Sequence, residues 1–143
     1  ARFVKGTSGS QLDALARHGV PEVRGYVIGE HALESADHRE ALQLWLDAGH
    51  PLGNHTWSHP NMEEIGVDAY LADIDRNEAV LGELTGDASG ASWRSFRYPY
   101  LRQGFDEASS RRVRDHLARL AELLPFHGGW PSRGRSSHHL ACL

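Results

Sequence analysis

Two imidazoles stand four positions apart in the stretch Gly53-Asn54-His55-Thr56-Trp57-Ser58-His59-Pro60. Imidazole is the commonest protein ligand for a transition metal. Side chains at i and i+4 share a face wherever the backbone is helical or turning into a helix, so one ion can take both. Two imidazoles do not suffice for catalysis, because a catalytic zinc has three protein ligands and an open position. The third ligand, most naturally a carboxylate, must come from another part of the chain. The zinc-protease pattern H-E-x-x-H is not met: Thr56, Trp57 and Ser58 separate the histidines, and no glutamate stands among them as a base. By spacing alone, two loop histidines bonded to backbone are the better reading of the pair.

The elements that would position this pair alternate along the chain. Ala1 to Ser10, ending in Lys5-Gly6-Thr7-Ser8-Gly9-Ser10, reads as a short extended piece and a flexible linker. Leu12, Leu15 and Ala16 place a helix over Gln11 to His18, capped by Ser10 and ended by a left-handed Gly19. Val23 to Ile28 reads as a buried strand, interrupted by Gly25. A second helix over Glu34 to Ala48 carries the stripe Ala41, Leu42, Leu44, Trp45 and Ala48, with Gly49 past its end. Pro51 to His55 is a very short strand that runs into the histidine loop. Asp68 opens a long helix, with Leu71, Ile74, Leu81 and Leu84 on its buried face and Gly86 as its stop. Ser95 to Tyr100 is a further strand candidate, and Arg111 to Leu124 a fourth helix. This order predicts an α/β fold, a parallel sheet covered by helices. Both His55–His59 and Arg97–Tyr100 fall at the C-terminal ends of predicted strands, the side on which such folds bind ligands.

Composition narrows the function classes. At 143 residues the chain makes one domain with a real core. A formal net charge of −4 leaves no basic field for nucleic acid. Cys142, the single cysteine, excludes an internal disulfide framework and a cysteine zinc cluster. There is no run of about 18 apolar residues, hence no membrane span is expected. No signal-peptide pattern opens the sequence, yet it begins at Ala1, consistent with a removed leader or a fragment. Among the ten histidines, His18, His38 and His116 sit on helical stretches and read as solvated or satisfied. Oligomeric state has no signature here.

The wording of the two loops resembles the polysaccharide deacetylase family, also called the NodB-homology or carbohydrate esterase 4 family. Its metal motif is H-S/T-x-x-H, here His55-Thr56-Trp57-Ser58-His59. A second motif, R-x-P-F/Y, appears as Arg97-Tyr98-Pro99-Tyr100, and the segment Leu15 to Gly29 looks like the family's helix and second strand. The likeness covers Gln11 to Gly104. It implies a partial, distorted (β/α) barrel, open because strands are missing, since a complete eight-fold barrel runs to about 250 residues. It implies a divalent metal, zinc by expectation, on His55 and His59, and hydrolysis of N- or O-acetyl groups on carbohydrate polymers. By the same resemblance the Tyr100 N–H meets the oxyanion, Pro99 stiffens the turn, and Arg97 orients a base aspartate. Trp57 or Tyr98 is expected either to offer a ring to sugar or to join the core. Export to the cell envelope or beyond is implied by resemblance only.

The sequence departs from that pattern at both ends. The family's third ligand and base are the aspartates of a T-F-D-D motif on the first strand, whereas no aspartate here precedes Asp13. Glu30 and Glu34 follow another strand end and are substitute candidates. After residue 124 comes Pro125-Phe126-His127-Gly128-Gly129-Trp130-Pro131 and a Ser-, Arg- and His-rich tail with no strand or helix period. His138 and His139 lack the L-x-L-H context of the family's late histidine. The expectation is therefore a partial deacetylase-like domain over 11–124 with an irregular tail over 125–143. The sequence reads as incomplete or frame-disrupted, and the chain as impaired in catalysis. A non-catalytic, carbohydrate-binding relative is the alternative.

Overall fold

The computed structural model describes residues 5–122 and 140–142. Its elements run α1 (Lys5–Arg17), β1 (Arg24–Val27), α2 (Gly29–Glu34), α3 (Ala36–Asp47), β2 (Leu52–Asn54), α4 (Met62–Ile65), α5 (Val67–Thr85), a 3-10 turn (Pro99–Leu101), α6 (Glu107–Glu122) and β3 (Leu140–Cys142). The sheet is parallel, in the order β2-β1-β3. Gly25 pairs with Leu52 and Val27 with Asn54, while Arg24 pairs with Leu140 on the other edge. The parallel α/β expectation therefore holds.

Glycine ends two of the helices in the same way. Gly19 (φ 64°) and Gly49 (φ 83°) take the left-handed conformation. After α1 the Gly19 and Val20 N–H groups donate to the carbonyls of Ala16 and Leu15; after α3 those of Gly49 and His50 donate to Leu46 and Trp45. These bonds satisfy carbonyls that a helix end otherwise leaves bare. In the second case the His50 ring lies on Trp45, with centroids 5.0 Å apart.

Two apolar clusters hold the elements together. Val23, Val27, Leu42, Trp45, Leu52, Leu81 and Trp93 pack the sheet to its helices. Met62, Val67, Tyr70, Ile74 and Val113 join α4, α5 and α6. Helix α5 belongs to both, which makes it the spine of the described structure. Burying the Tyr70 hydroxyl pushes its pKa far up, so it stays protonated.

Five boundaries differ from the sequence reading. Lys5–Ser10 is helix, not linker, so Ser10 lies inside α1 and does not cap it. Docking of α1 on α3 overrides the roughly 1 kcal/mol that each glycine costs relative to alanine. The second helix is two: Ser35 is extended (φ −152°) and caps α3 by accepting the His38 N–H. Leu44, at 36% exposure, lies off the buried stripe. The Ser95–Tyr100 strand contracts to one parallel bridge between Asn54 and Phe96, because Pro99 has no N–H to offer and Tyr100 and Leu101 turn left-handed. Helix α6 starts at Glu107, where Asp106 and Ser109 cap reciprocally: the Asp106 carboxylate accepts the Ser109 N–H (2.7 Å), and the Ser109 hydroxyl accepts the Asp106 N–H (3.0 Å). Leu140–Cys142, expected in an irregular tail, pairs with β1; three residues are too few to show a period, and the open edge of β1 supplies the partners. The expectations for Ala1–Val4, for the helix end at Leu124 and for 125–139 lie outside the described residues. Among the described residues no helix is long and apolar enough to cross a membrane.

Candidate metal centre

The histidine loop leaves β2 at Asn54, which is fully buried. Its side chain works as a hub. The Asn54 Oδ1 accepts the Thr56 N–H (2.8 Å) and a hydrogen from the Asn77 Nδ2 (2.9 Å). Its Nδ2 donates to the Ile74 carbonyl and to Glu78 Oε1, each at 3.1 Å. Asn77 Nδ2 also donates to the Val27 carbonyl, at 2.8 Å, which ties β1, β2 and α5 at one point. All four hydrogen-bonding positions of the Asn54 amide are thus taken, as burial of an amide demands.

The loop that follows is strained. Thr56 (φ 67°) and His59 (φ 54°) both adopt left-handed backbone, at about 1–2 kcal/mol per non-glycine residue. Thr56 earns its place through its hydroxyl, which donates to the His55 carbonyl and accepts the His59 N–H (3.1 Å). Between the two strained residues, α5 takes hold of the crest. The Asp73 carboxylate accepts the Ser58 N–H and the Ser58 hydroxyl, each at 2.9 Å, and the Asp73 carbonyl accepts the Trp57 N–H at 3.2 Å. Helix α2 closes the other side, its Gly29 and Glu30 N–H groups donating to the Thr56 and Trp57 carbonyls. At a net of about 1 kcal/mol per bond, and more to a carboxylate, this set outweighs the strain.

The outcome is a paired arrangement of rings. His55 and His59 lie with centroids 4.7 Å apart at 72°. His55 Nδ1 is 2.8 Å from the Arg97 carbonyl. A carbonyl only accepts, so Nδ1 carries the proton and the neutral ring presents Nε2 as its lone-pair nitrogen. Metal-ligating histidines are oriented in this manner, by a carbonyl or carboxylate on the other nitrogen. Burial lowers the pKa of both rings; for His55 the Arg97 carbonyl bond opposes it and the charges of His59 and Arg97 add to it. For His59 the neighbouring His31 adds to the lowering. Neutral imidazole is the form that binds metal.

The second motif lands against the first. Besides the His55–Arg97 bond, the Arg97 N–H donates to the Asn54 carbonyl (3.0 Å), and the Tyr100 ring sits edge-on to His59 at 4.7 Å. Pro99 is buried, while Tyr100 is 61% and Leu101 71% exposed. Both of the latter are left-handed. The Tyr100 N–H has no acceptor among the described residues. The Arg97 guanidinium makes no ion pair among them either.

Other expected site residues fall elsewhere. Tyr98 packs edge-on to Phe96 (4.9 Å) and onto the second apolar cluster; partial burial raises its pKa. Trp57 is half-buried, with the Arg76 guanidinium 3.8 Å over its ring. A Cβ at Gly29 would come within 2.7 Å of Trp57 and 2.3 Å of Asn77 Oδ1, so this glycine is where α2 can approach the loop. Glu30 and Glu34 do not join the histidines: among the described residues no group of three His, Cys, Asp or Glu gathers at one point. Asp73 and Asn77 had no place in the sequence reading. Asn77 did leave a signal, since it stands at helical spacing on the apolar face Tyr70, Ile74, Leu81.

Residues 5–120 match the family model described as polysaccharide deacetylase. The peptidoglycan-N-acetylglucosamine deacetylase of Bacillus cereus is 34% identical over 77 residues, 54% of this chain and 26% of that protein. The family 4 carbohydrate esterase from Streptomyces lividans, solved in complex with acetate, superposes with a TM-score of 0.60 at 24% identity over 80% of this chain and 53% of that one. A carbohydrate esterase 4 pseudoenzyme from Bacillus anthracis gives a TM-score of 0.64 at 19% identity over 82% and 38%. The chain thus spans about a quarter of the curated relative and about half of the Streptomyces structure. The two structural likenesses show the fold, a partial (β/α) barrel with an open sheet.

Proposed function

Since the chain belongs to the polysaccharide deacetylase family, we propose that it carries the metal-binding side of a metal-dependent hydrolase removing N- or O-linked acetyl groups from carbohydrate polymers. One observation supports this most: the R-x-P-Y segment docks on the histidine pair through the 2.8 Å contact between His55 Nδ1 and the Arg97 carbonyl. The donor set fits a divalent ion, zinc by expectation: two imidazoles held neutral by burial, one of them oriented by a carbonyl. Such an ion supplies Lewis acidity toward an acetyl carbonyl.

The chain's own residues then divide the work. His55 and His59 hold the ion. The Tyr100 N–H, without an acceptor among the described residues, donates to the oxygen on which charge develops, preset by buried Pro99. Arg97 orients a carboxylate base that the described residues do not contain. Trp57 keeps the loop in place, because Arg76 covers its ring; the exposed Tyr100 ring is better placed than Trp57 or Tyr98 to touch sugar. The Bacillus cereus relative is named for peptidoglycan N-acetylglucosamine, which makes an acetylated amino-sugar polymer the substrate of choice.

Among the described residues no carboxylate gathers with the two histidines, which favours a second reading, a deacetylase-like domain impaired in catalysis, in line with the pseudoenzyme that shares its fold. Calorimetry with zinc is expected to show binding by the chain and loss of it in His55→Ala. No binding by the unaltered chain would overturn the metal reading. Acetate release from N-acetylglucosamine oligomers with zinc present separates the two readings: release supports the hydrolase, and binding without release the impaired domain.

A further inference from the structure

We infer that Asp73, on α5, is a positioning residue for the histidine pair: its carboxylate clamps the crest of the His55–His59 loop in the strained shape that brings the two rings together. This rests on the reading of the pair as a metal site and deepens it. The loop is strained at two positions. The left-handed residues are Thr56 and His59. Neither is a glycine, so nothing in the loop's own backbone chemistry favours the shape. The residues between them, Trp57 and Ser58, are the crest. Ser58 is exposed and has no apolar anchor. It is held by both oxygens of Asp73, one to its N–H and one to its hydroxyl, each at 2.9 Å. Ser58 immediately precedes His59, so releasing Ser58 frees the backbone that sets the His59 ring against His55.

The geometry also says why the clamp is a carboxylate. Two donors of one residue must be met together, and only a forked acceptor on a rigid element meets both. Asp73 stands in the middle of a 19-residue helix whose Ile74 and Asn77 grip Asn54 at the start of the same loop. The helix therefore holds the loop at both ends, with Asn54 upstream of the first histidine and Ser58 upstream of the second. Removing Asp73 leaves the Asn54 anchor in place and loosens only the second histidine. Outer partners of metal ligands typically change metal affinity by about 10–100-fold.

The test compares the unaltered chain with Asp73→Ala, Asp73→Asn and Ser58→Ala, using zinc ion alone as the probe. Calorimetry reads affinity, and amide hydrogen exchange with imidazole proton resonances reads the loop without metal. The expected result is a loss of about tenfold or more in zinc affinity for Asp73→Ala. Exchange should quicken at the Ser58 and His59 amides, while Trp57, held by the Asp73 backbone carbonyl, stays protected. Asp73→Asn keeps one acceptor and should fall between, which a merely structural role would not produce. It also carries the test if Asp73→Ala fails to fold. Equal zinc affinity and equal Ser58 exchange in all four proteins would overturn the clamp while leaving the metal reading intact. If the unaltered chain takes no zinc but Ser58 exchange still rises, the clamp stands and the metal reading falls.

Discussion

Two loops of this chain bend around an aspartate, and they do so by opposite means. The turn after α5 wraps Asp87. Ser89 and Ser92 each give that carboxylate an N–H and a hydroxyl, at 2.5–3.0 Å, and these bonds hold its pKa well below the usual carboxylate range. Every partner lies within five residues, and the left-handed positions fall on Gly86 and Gly90. The histidine loop draws its aspartate from 15 residues away, and its left-handed positions fall on Thr56 and His59. The first loop is consistent with its own sequence. The second holds a shape its sequence resists and borrows the means from α5, which is the usual condition of a working site.

The largest effect that breaks this contrast should come from Asn54→Ala. It strips acceptors and donors from Thr56, Asn77, Ile74 and Glu78 in a fully buried place. With buried polar groups left unpaired at about 1–3 kcal/mol each, the expected loss is about 2–4 kcal/mol by urea denaturation. A loss no greater than that of an ordinary surface substitution would mean that the loop, like the Asp87 turn, makes itself.

The same contrast explains what was legible in the sequence. The histidine pair, the R-x-P-Y segment and the parallel α/β order could all be read, because local residue types and short-range periodicity carry them. Gly19 and Gly49 marked helix ends through a backbone preference that needs no tertiary information. The clamp by Asp73 could not be read. An aspartate on a helix next to Ile74 looks like any solvated residue until the fold brings Ser58 to it. The strand over Ser95–Tyr100 failed for the reverse reason: apolar residues promised a ladder, and the Pro99 turn cut it short. Strand β3 owes its existence to the open edge of β1, which no three residues can announce.

Acid should separate the two loops by pH window. Burial lowers the pKa of His55 and His59 in the fold, so the unfolded chain binds their protons first. Stability is complete above about pH 6.5 and declines as pH falls below that value, until the folded pKa values are passed. The Asp87 carboxylate has the same sign in a lower window. Its contribution is present above the ordinary carboxylate pKa of about 3.9 and is lost as pH falls through its depressed folded value. Urea midpoints measured from pH 8 to pH 3 should therefore decline in two stages. In His55→Ala the upper stage should shrink, while in Asp87→Ala it should persist.

The smallest effect is expected from Asp87→Ala itself. Its carboxylate lies at the surface, partly exposed, so water replaces the lost bonds and screening limits what they contributed. The turn keeps a second anchor, since the indole N–H of buried Trp93 donates to the Asp87 backbone carbonyl at 2.7 Å, and a side-chain change leaves that bond alone. Gly86 and Gly90 hold their left-handed conformations without strain. Hydrogen exchange should quicken at the Ser89 and Ser92 amides only, with zinc affinity and the Ser58 amide unchanged. A fall in zinc affinity would show that the strain at Thr56 and His59 is relieved through Glu78, which bonds both Asn54 and Arg94 and so joins the two loops. The aspartate of each loop would then no longer act alone.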